Sequence, residues 1–178
     1  MLRRWLDRLY LAAGGMGAAC VALIGALMIG QSVAREFGVR TGAINDIVAW
    51  LCAAAAFLAM AHAFKHGDFV RVTLLLENLG PRWRHVFELV SLAIATLFTG
   101  YIAWSITLYV MDSRTFGDMA GGLVVIPIWI PQSSLAIGSF LLFVAVADQF
   151  VHVLRGNRPD YVVAVEERHA RGDFSEDV

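Results

Sequence analysis

The sequence predicts an all-α integral membrane protein with four transmembrane helices. Both termini are expected in the cytoplasm, and a cytoplasmic interfacial amphipathic helix is expected between spans two and three. Three observations carry this reading. Only 16% of the 178 residues are charged while 58% are hydrophobic, against roughly 25% charged in an average soluble domain. The charges are also segregated: residues 9–34, 47–64, 89–111 and 119–147 contain no Asp, Glu, Lys or Arg. A bilayer span needs only about 20 such residues, because the hydrocarbon layer is about 30 Å thick and a helix rises about 1.5 Å per residue. Finally, the basic residues alternate in density from one connecting segment to the next.

The first span covers residues 9–34, too long for the roughly 7–15-residue apolar core of a cleavable signal peptide, so it is expected to stay uncleaved. The second runs from about 44 to 64 with Asp46 near its start, and the third from about 86 to 111 after the Gly80-Pro81 break. The fourth uncharged run is too long for one helix and carries Gly121, Gly122, Pro127 and Pro131 in its first half. Its helix is therefore placed at about 128–154, since proline is tolerated in a first turn whose N–H groups have no intrahelical partner. The Gly-rich stretch before it becomes an extracytoplasmic loop that dips toward the membrane surface.

Counting Lys and Arg sets the orientation. Arg3, Arg4 and Arg8, then Lys65, Arg71, Arg82 and Arg84, then Arg155, Arg158, Arg168 and Arg171 fall on one side of a four-span chain. Only Arg35, Arg40 and Arg114 fall on the other. The positive-inside rule assigns the first set, and both termini, to the cytoplasm. Residues 156–178 read as a polar acidic cytoplasmic tail.

Between spans two and three, Asp68 can cap a helix whose apolar positions Phe69, Val72, Leu75, Leu76 and Leu79 share one side, with Arg71 among them. The segment 69–79 is too short to cross, so it is expected to lie along the membrane surface. Trp83 and Trp129 are expected to anchor opposite boundaries, because indoles favour headgroup depth. Small residues recur every fourth position in span one, at Gly14, Ala18, Ala22, Ala26 and Gly30, and in span three at Ser91, Ala95, Thr99, Ala103 and Thr107. Small residues let helix backbones approach in lipid. Either these series close the internal bundle or at least one meets another membrane protein.

Much is excluded. The net charge of −1 offers no basic footprint for nucleic acid. Cys20 and Cys52 lie in apolar spans, where a disulfide framework is not expected. No metal-ligand spacing, phosphate loop or nucleophile–base arrangement is present, so neither a cofactor nor enzymatic chemistry is expected. The ionisable residues Asp46, Glu88, Asp112 and Asp148 sit toward span ends, not at mid-bilayer where an ion or acid pathway would place them.

In order and spacing these features resemble the small membrane subunit of tripartite ATP-independent periplasmic (TRAP) transporters. The residues that carry the resemblance begin with Asn45-Asp46 and Trp50. They continue through Lys65-His66-Gly67-Asp68-Phe69-Val70-Arg71-Val72-Thr73-Leu74-Leu75 and Gly80-Pro81-Arg82. They end with Ile126-Pro127-Ile128-Trp129-Ile130-Pro131 and Gly138. The chain departs from the family's pattern at Phe69, often His, at Thr73, often Asp, and at Asp46, usually Glu. Polar contacts at positions 69 and 73 are therefore not carried over.

The resemblance implies a bacterial inner-membrane complex with a large subunit that moves substrate and sodium, and a periplasmic substrate-binding protein that delivers an organic acid. The small subunit would pack beside the large one and steady its static scaffold. Two other readings compete: a self-contained oligomeric small transporter, and a b-type cytochrome subunit using His62 and His152.

Overall fold

The computed structural model describes residues 2–67, 81–157, 159–163 and 170, with backbone alone at 2–4, 81 and 82. Four helices fill it: α1 (Leu2–Glu36), α2 (Gly42–His66), α3 (Pro81–Phe116) and α4 (Trp129–Leu154). Each is long and apolar enough to cross a membrane. The expected interfacial helix at 69–79 lies outside the described residues.

Local chemistry explains the boundaries. At the end of α2, Gly67 adopts φ 84°, and its N–H reaches back to the carbonyls of Ala63 and Phe64. That left-handed cap costs an L side chain free energy that glycine does not pay, so the helix stops there. α3 opens on Pro81, whose missing N–H would have no helical partner. Pro131 lies in the first turn of α4, where the same argument holds.

The helices pack as a path and not as a ring. α1 lies against α2, α2 against α4, and α4 against α3, while no other pair makes more than isolated contact among the described residues. α1 and α3 are thus the two edges of an open layer. Two apolar clusters knit it at one end. Tyr10, Ala61 and Ala145, with Leu6, Phe64 and Leu141 beside them, join α1, α2 and α4. Leu92, Val153 and Tyr161, with Phe64, Leu89, Phe150 and Val162, join α2, α3, α4 and the segment after α4.

The inward stripes alternate by three and four residues. In α1 they are Tyr10, Ala13, Gly17, Cys20, Ile24, Leu27 and Gln31. In α3 they are Leu89, Leu92, Thr96, Thr99, Ala103, Ile106, Val110 and Ser113. This is the seam of near-parallel helix packing, which follows a period of about 3.5 residues.

A series spaced by four instead advances about 40° per step around a helix of 3.6 residues per turn. The two small series anticipated from sequence therefore do not each hold to a single face. In α1, Gly14 is half-buried against His62, but Ala18, Ala22, Ala26 and Gly30 are exposed. In α3, Ser91 and Thr107 are exposed while Ala103 is buried.

α4 comes very close to α2 at Gly138. A Cβ built there would stand 2.5 Å from the backbone C and O of Phe57 in α2, so only glycine fits. Where α1 meets α2, a Cβ at Gly17 would stand 3.1 Å from the Ala55 carbonyl oxygen. Three threonine hydroxyls of α3 are satisfied locally: Thr96, Thr99 and Thr107 each donate to the carbonyl four residues back at 2.7 Å. In hydrocarbon an unsatisfied hydroxyl is costly, and these threonines avoid that cost without joining helices.

Candidate functional site

The polar groups of the chain gather at its two ends, here named for Asp46 and Lys65. At the Asp46 end, the chain between α3 and α4 folds back on itself. The Asp118 N–H donates to Ser113 O at 3.0 Å, Ala120 N–H to Ile126 O at 2.9 Å, and Ile128 N–H to Asp118 O at 3.0 Å. Met119 and Pro127 form an antiparallel bridge. The tip of this loop is fastened by Asp46 of α2, whose carboxylate accepts from the backbone N–H groups of Leu123 at 2.7 Å and Val124 at 3.3 Å. A side chain at Gly122 would collide with that carboxylate, so the close approach requires glycine.

Two further contacts steady this end. Gln31 of α1 donates through Nε2 to Asn45 Oδ1 at 3.0 Å, which ties α1 to the start of α2. The Arg114 guanidinium lies 5.3 Å from the ring centre of Trp129, so the last turn of α3 grips the first of α4. Trp129 is half-buried there, and Trp50 is half-buried one turn beyond Asp46.

At the Lys65 end, Lys65 of α2 pairs with Asp7 of α1, and its ammonium lies 5.6 Å from the ring centre of Tyr10. His66 donates through Nδ1 to the His62 carbonyl at 2.9 Å, and the two rings lie tilted by 33° with centroids 4.0 Å apart. His152 lies 3.5 Å from the Asp160 carboxylate. The His62 and His152 rings that a haem would require are thus drawn to separate neighbours. Trp83 is 63% exposed at the start of α3, at the opposite end of the layer from Trp129. Arg82 stands in the first turn of α3, with its backbone alone described. Phe69, Arg71, Val72, Leu75, Leu76 and Leu79 lie outside the described residues.

Between the ends the layer is apolar. Of the buried polar side chains, Gln31, Ser113 and Gln149 lie toward helix ends. Ser139, nearer the middle of α4, donates to the Ala136 carbonyl at 3.1 Å. Among the described residues no three His, Cys, Asp or Glu side chains are placed to hold a metal ion.

The family description for tripartite ATP-independent periplasmic transporters, DctQ component, matches residues 24–156. This chain belongs to the DctQ family. It is therefore a small membrane component of a TRAP transporter and an integral inner-membrane protein, from a family of transporter components and not of enzymes. TRAP complexes combine DctQ with a large DctM component and a periplasmic binding protein. No individual curated protein matches the chain.

The DctQ match takes in α2, α3 and α4 whole, with the Asp46 clamp and the Gly138 contact. It leaves out most of α1 and everything after Gly156. Sequence reasoning singled out Asp46 but not its partners. Backbone N–H groups carry no sequence signature, although the Gly121-Gly122 pair marked a place where a backbone could come close. Tyr161 and its contacts, described below, were missed for a different reason: a single aromatic residue in an acidic stretch reads as tail.

Proposed function

We propose that this DctQ chain packs against the large subunit of a sodium-coupled organic-acid transporter and stabilises that subunit's static scaffold. The observation that carries the proposal is the outward side of α1. Ala18, Ala22, Ala26 and Gly30 are exposed there, and a Cβ at Gly15, Gly25 or Gly30 would meet nothing within 4 Å. Leu11, Ile29 and Val33 are exposed on the same side, so the face offers gaps between bulky side chains where a neighbouring helix can come close, and close backbone approach drives association where the hydrophobic effect is absent. The other edge is more aromatic: α3 exposes Phe98, Tyr101, Trp104 and Tyr109. Bulky side chains of that kind suit contact with acyl chains and headgroups.

The apolar middle of all four helices supports the same division of labour. A conduit for sodium and carboxylates needs ionisable or coordinating groups near the bilayer midplane. Such groups belong to the large subunit on this reading, and DctQ supplies the frame. Both termini face the cytoplasm, on the strength of the Lys and Arg distribution. Arg71 and the 69–79 segment then set the depth of the subunit at the cytoplasmic surface, together with Arg82 and Trp83. Asp46 and Trp129 do the same on the periplasmic side. The binding protein docks on that periplasmic side of the complex.

Reconstitution into liposomes tests the proposal. The purified chain alone is expected to give no sodium-driven uptake of organic acids, while the complex with its large subunit and binding protein transports. Uptake by the chain alone would instead establish a self-contained transporter.

A further inference from the structure

Among the described residues the four helices form an open path in which α3 packs chiefly on α4. The chain does not leave the layer where α4 ends. Gly156, at φ 80°, turns it, with its N–H donating to the Val153 carbonyl at 2.9 Å. Residues 160–163 then form one helical turn, started by the Val162 and Val163 N–H groups donating to the Pro159 carbonyl at 3.1 and 3.3 Å. Pro159 and Tyr161 are buried, Tyr161 to 6% exposure. An acidic stretch expected to be solvated therefore begins as part of the packed structure.

Tyr161 touches three helices at once. Its ring packs edge-on against Phe64 of α2 with centroids 6.1 Å apart. It shares an apolar cluster with Leu92 of α3 and Val153 of α4. Its hydroxyl donates to the Glu88 carboxylate of α3 at 3.0 Å. Asp160 meets His152 of α4 at 3.5 Å, and Asn157 Nδ2 lies 3.3 Å from Nδ1 of the same histidine.

We infer that residues 159–163 are a clip that fixes the edge helix α3 to α2 and α4 at the Lys65 end, reinforcing the sparse direct packing between α2 and α3 among the described residues. The reason is geometric. Among the described residues α2 and α3 flank α4 with little direct packing on each other, and Tyr161 fills the space between Phe64 and Glu88. A phenol suits the place, since its ring is apolar and its hydroxyl can satisfy a carboxylate at a boundary where water thins out. The clip lies beyond the residues that the DctQ description matches. It holds the aromatic edge of α3 at a set angle to the opposite edge, α1, whichever partner either edge meets.

Double electron–electron resonance on the full chain in nanodiscs tests the clip, in a background with Cys20 and Cys52 replaced by serine. One label pair, at Leu9 and Val86, reads the Lys65 end. The other, at Val33 and Tyr109, reads the Asp46 end. All four positions are exposed. In Tyr161→Ala the Leu9–Val86 distance distribution is expected to broaden and lengthen while the Val33–Tyr109 distribution stays as in the parent. Unchanged distributions for both pairs would make the segment a passenger, and equal broadening of both would mean general loosening; either result overturns the clip. If Tyr161→Ala does not accumulate, Tyr161→Phe and Glu88→Gln carry the same test with the ring in place. One-ended broadening is expected of each, and parent-like distributions in both would overturn the inference.

Discussion

The carboxylate of Asp46 in α2 holds the backbone of Leu123, 77 positions further along the chain, by a 2.7 Å hydrogen bond from the Leu123 N–H. A second bond from Val124 completes the grip. An ionised acceptor makes such bonds stronger than neutral ones, and here it fixes the loop that starts α4. Asp46→Ala is expected to cost about 1–2 kcal/mol, the lower part of the range for bonds to a charged acceptor because the site is partly open to solvent. Hydrogen exchange at residues 121–124 would rise selectively. Parent-like exchange there would show that the loop holds its shape without the carboxylate.

Gly138 and Gly30 make a matched pair of tests. Gly138→Ala forces a methyl into the Phe57 backbone, so α2 and α4 must separate, at about 1–3 kcal/mol as for other overpacked sites. Gly30→Ala meets nothing and should leave stability unchanged or raise it by up to about 1 kcal/mol, because alanine suits a helix interior better than glycine. Thermal unfolding in detergent compares them, and equal midpoints would contradict the close approach of α2 and α4.

The Lys65–Asp7 pair is predicted to matter little to stability. Asp7 is 49% exposed, and exposed ion pairs contribute about 0–1 kcal/mol. Asp7→Asn should therefore leave the thermal midpoint within a few degrees of the parent. A large drop would mean that this pair, and not the apolar cluster around Tyr10, holds α1 to α2.

Arg71→Glu should reduce accumulation of the complex, because it reverses charge in the segment proposed to set depth at an anionic cytoplasmic surface. Wild-type uptake and wild-type subunit levels in that variant would remove Arg71 from the account.

The spans were legible because a single solvent, the bilayer, acts on every residue of each uncharged run in the same way. The helices α2 and α4 accordingly extend only one or two residues from where the apolar runs place them, apart from their caps. Which side of each helix packs was not legible. In helices that are apolar all round, hydrophobic contrast no longer marks the buried face, and small size alone pointed to a spacing of four. The inward stripe of α1 mixes Tyr10, Gly17, Ile24 and Gln31, so no single property of those side chains identifies it. Asp46 stood out by its charge, but its partners are backbone groups. Tyr161 gave no signal because its burial depends on Phe64 and Glu88, each more than 70 residues away in the chain.

The central claim, that the outward face of α1 meets the large subunit, is tested most directly by co-purification. Ala22→Leu with Ala26→Leu adds bulk at two exposed positions, so the isolated chain should unfold at its parental temperature while recovery of the large subunit with it falls sharply. Full recovery of the large subunit alongside that double variant would contradict the claim.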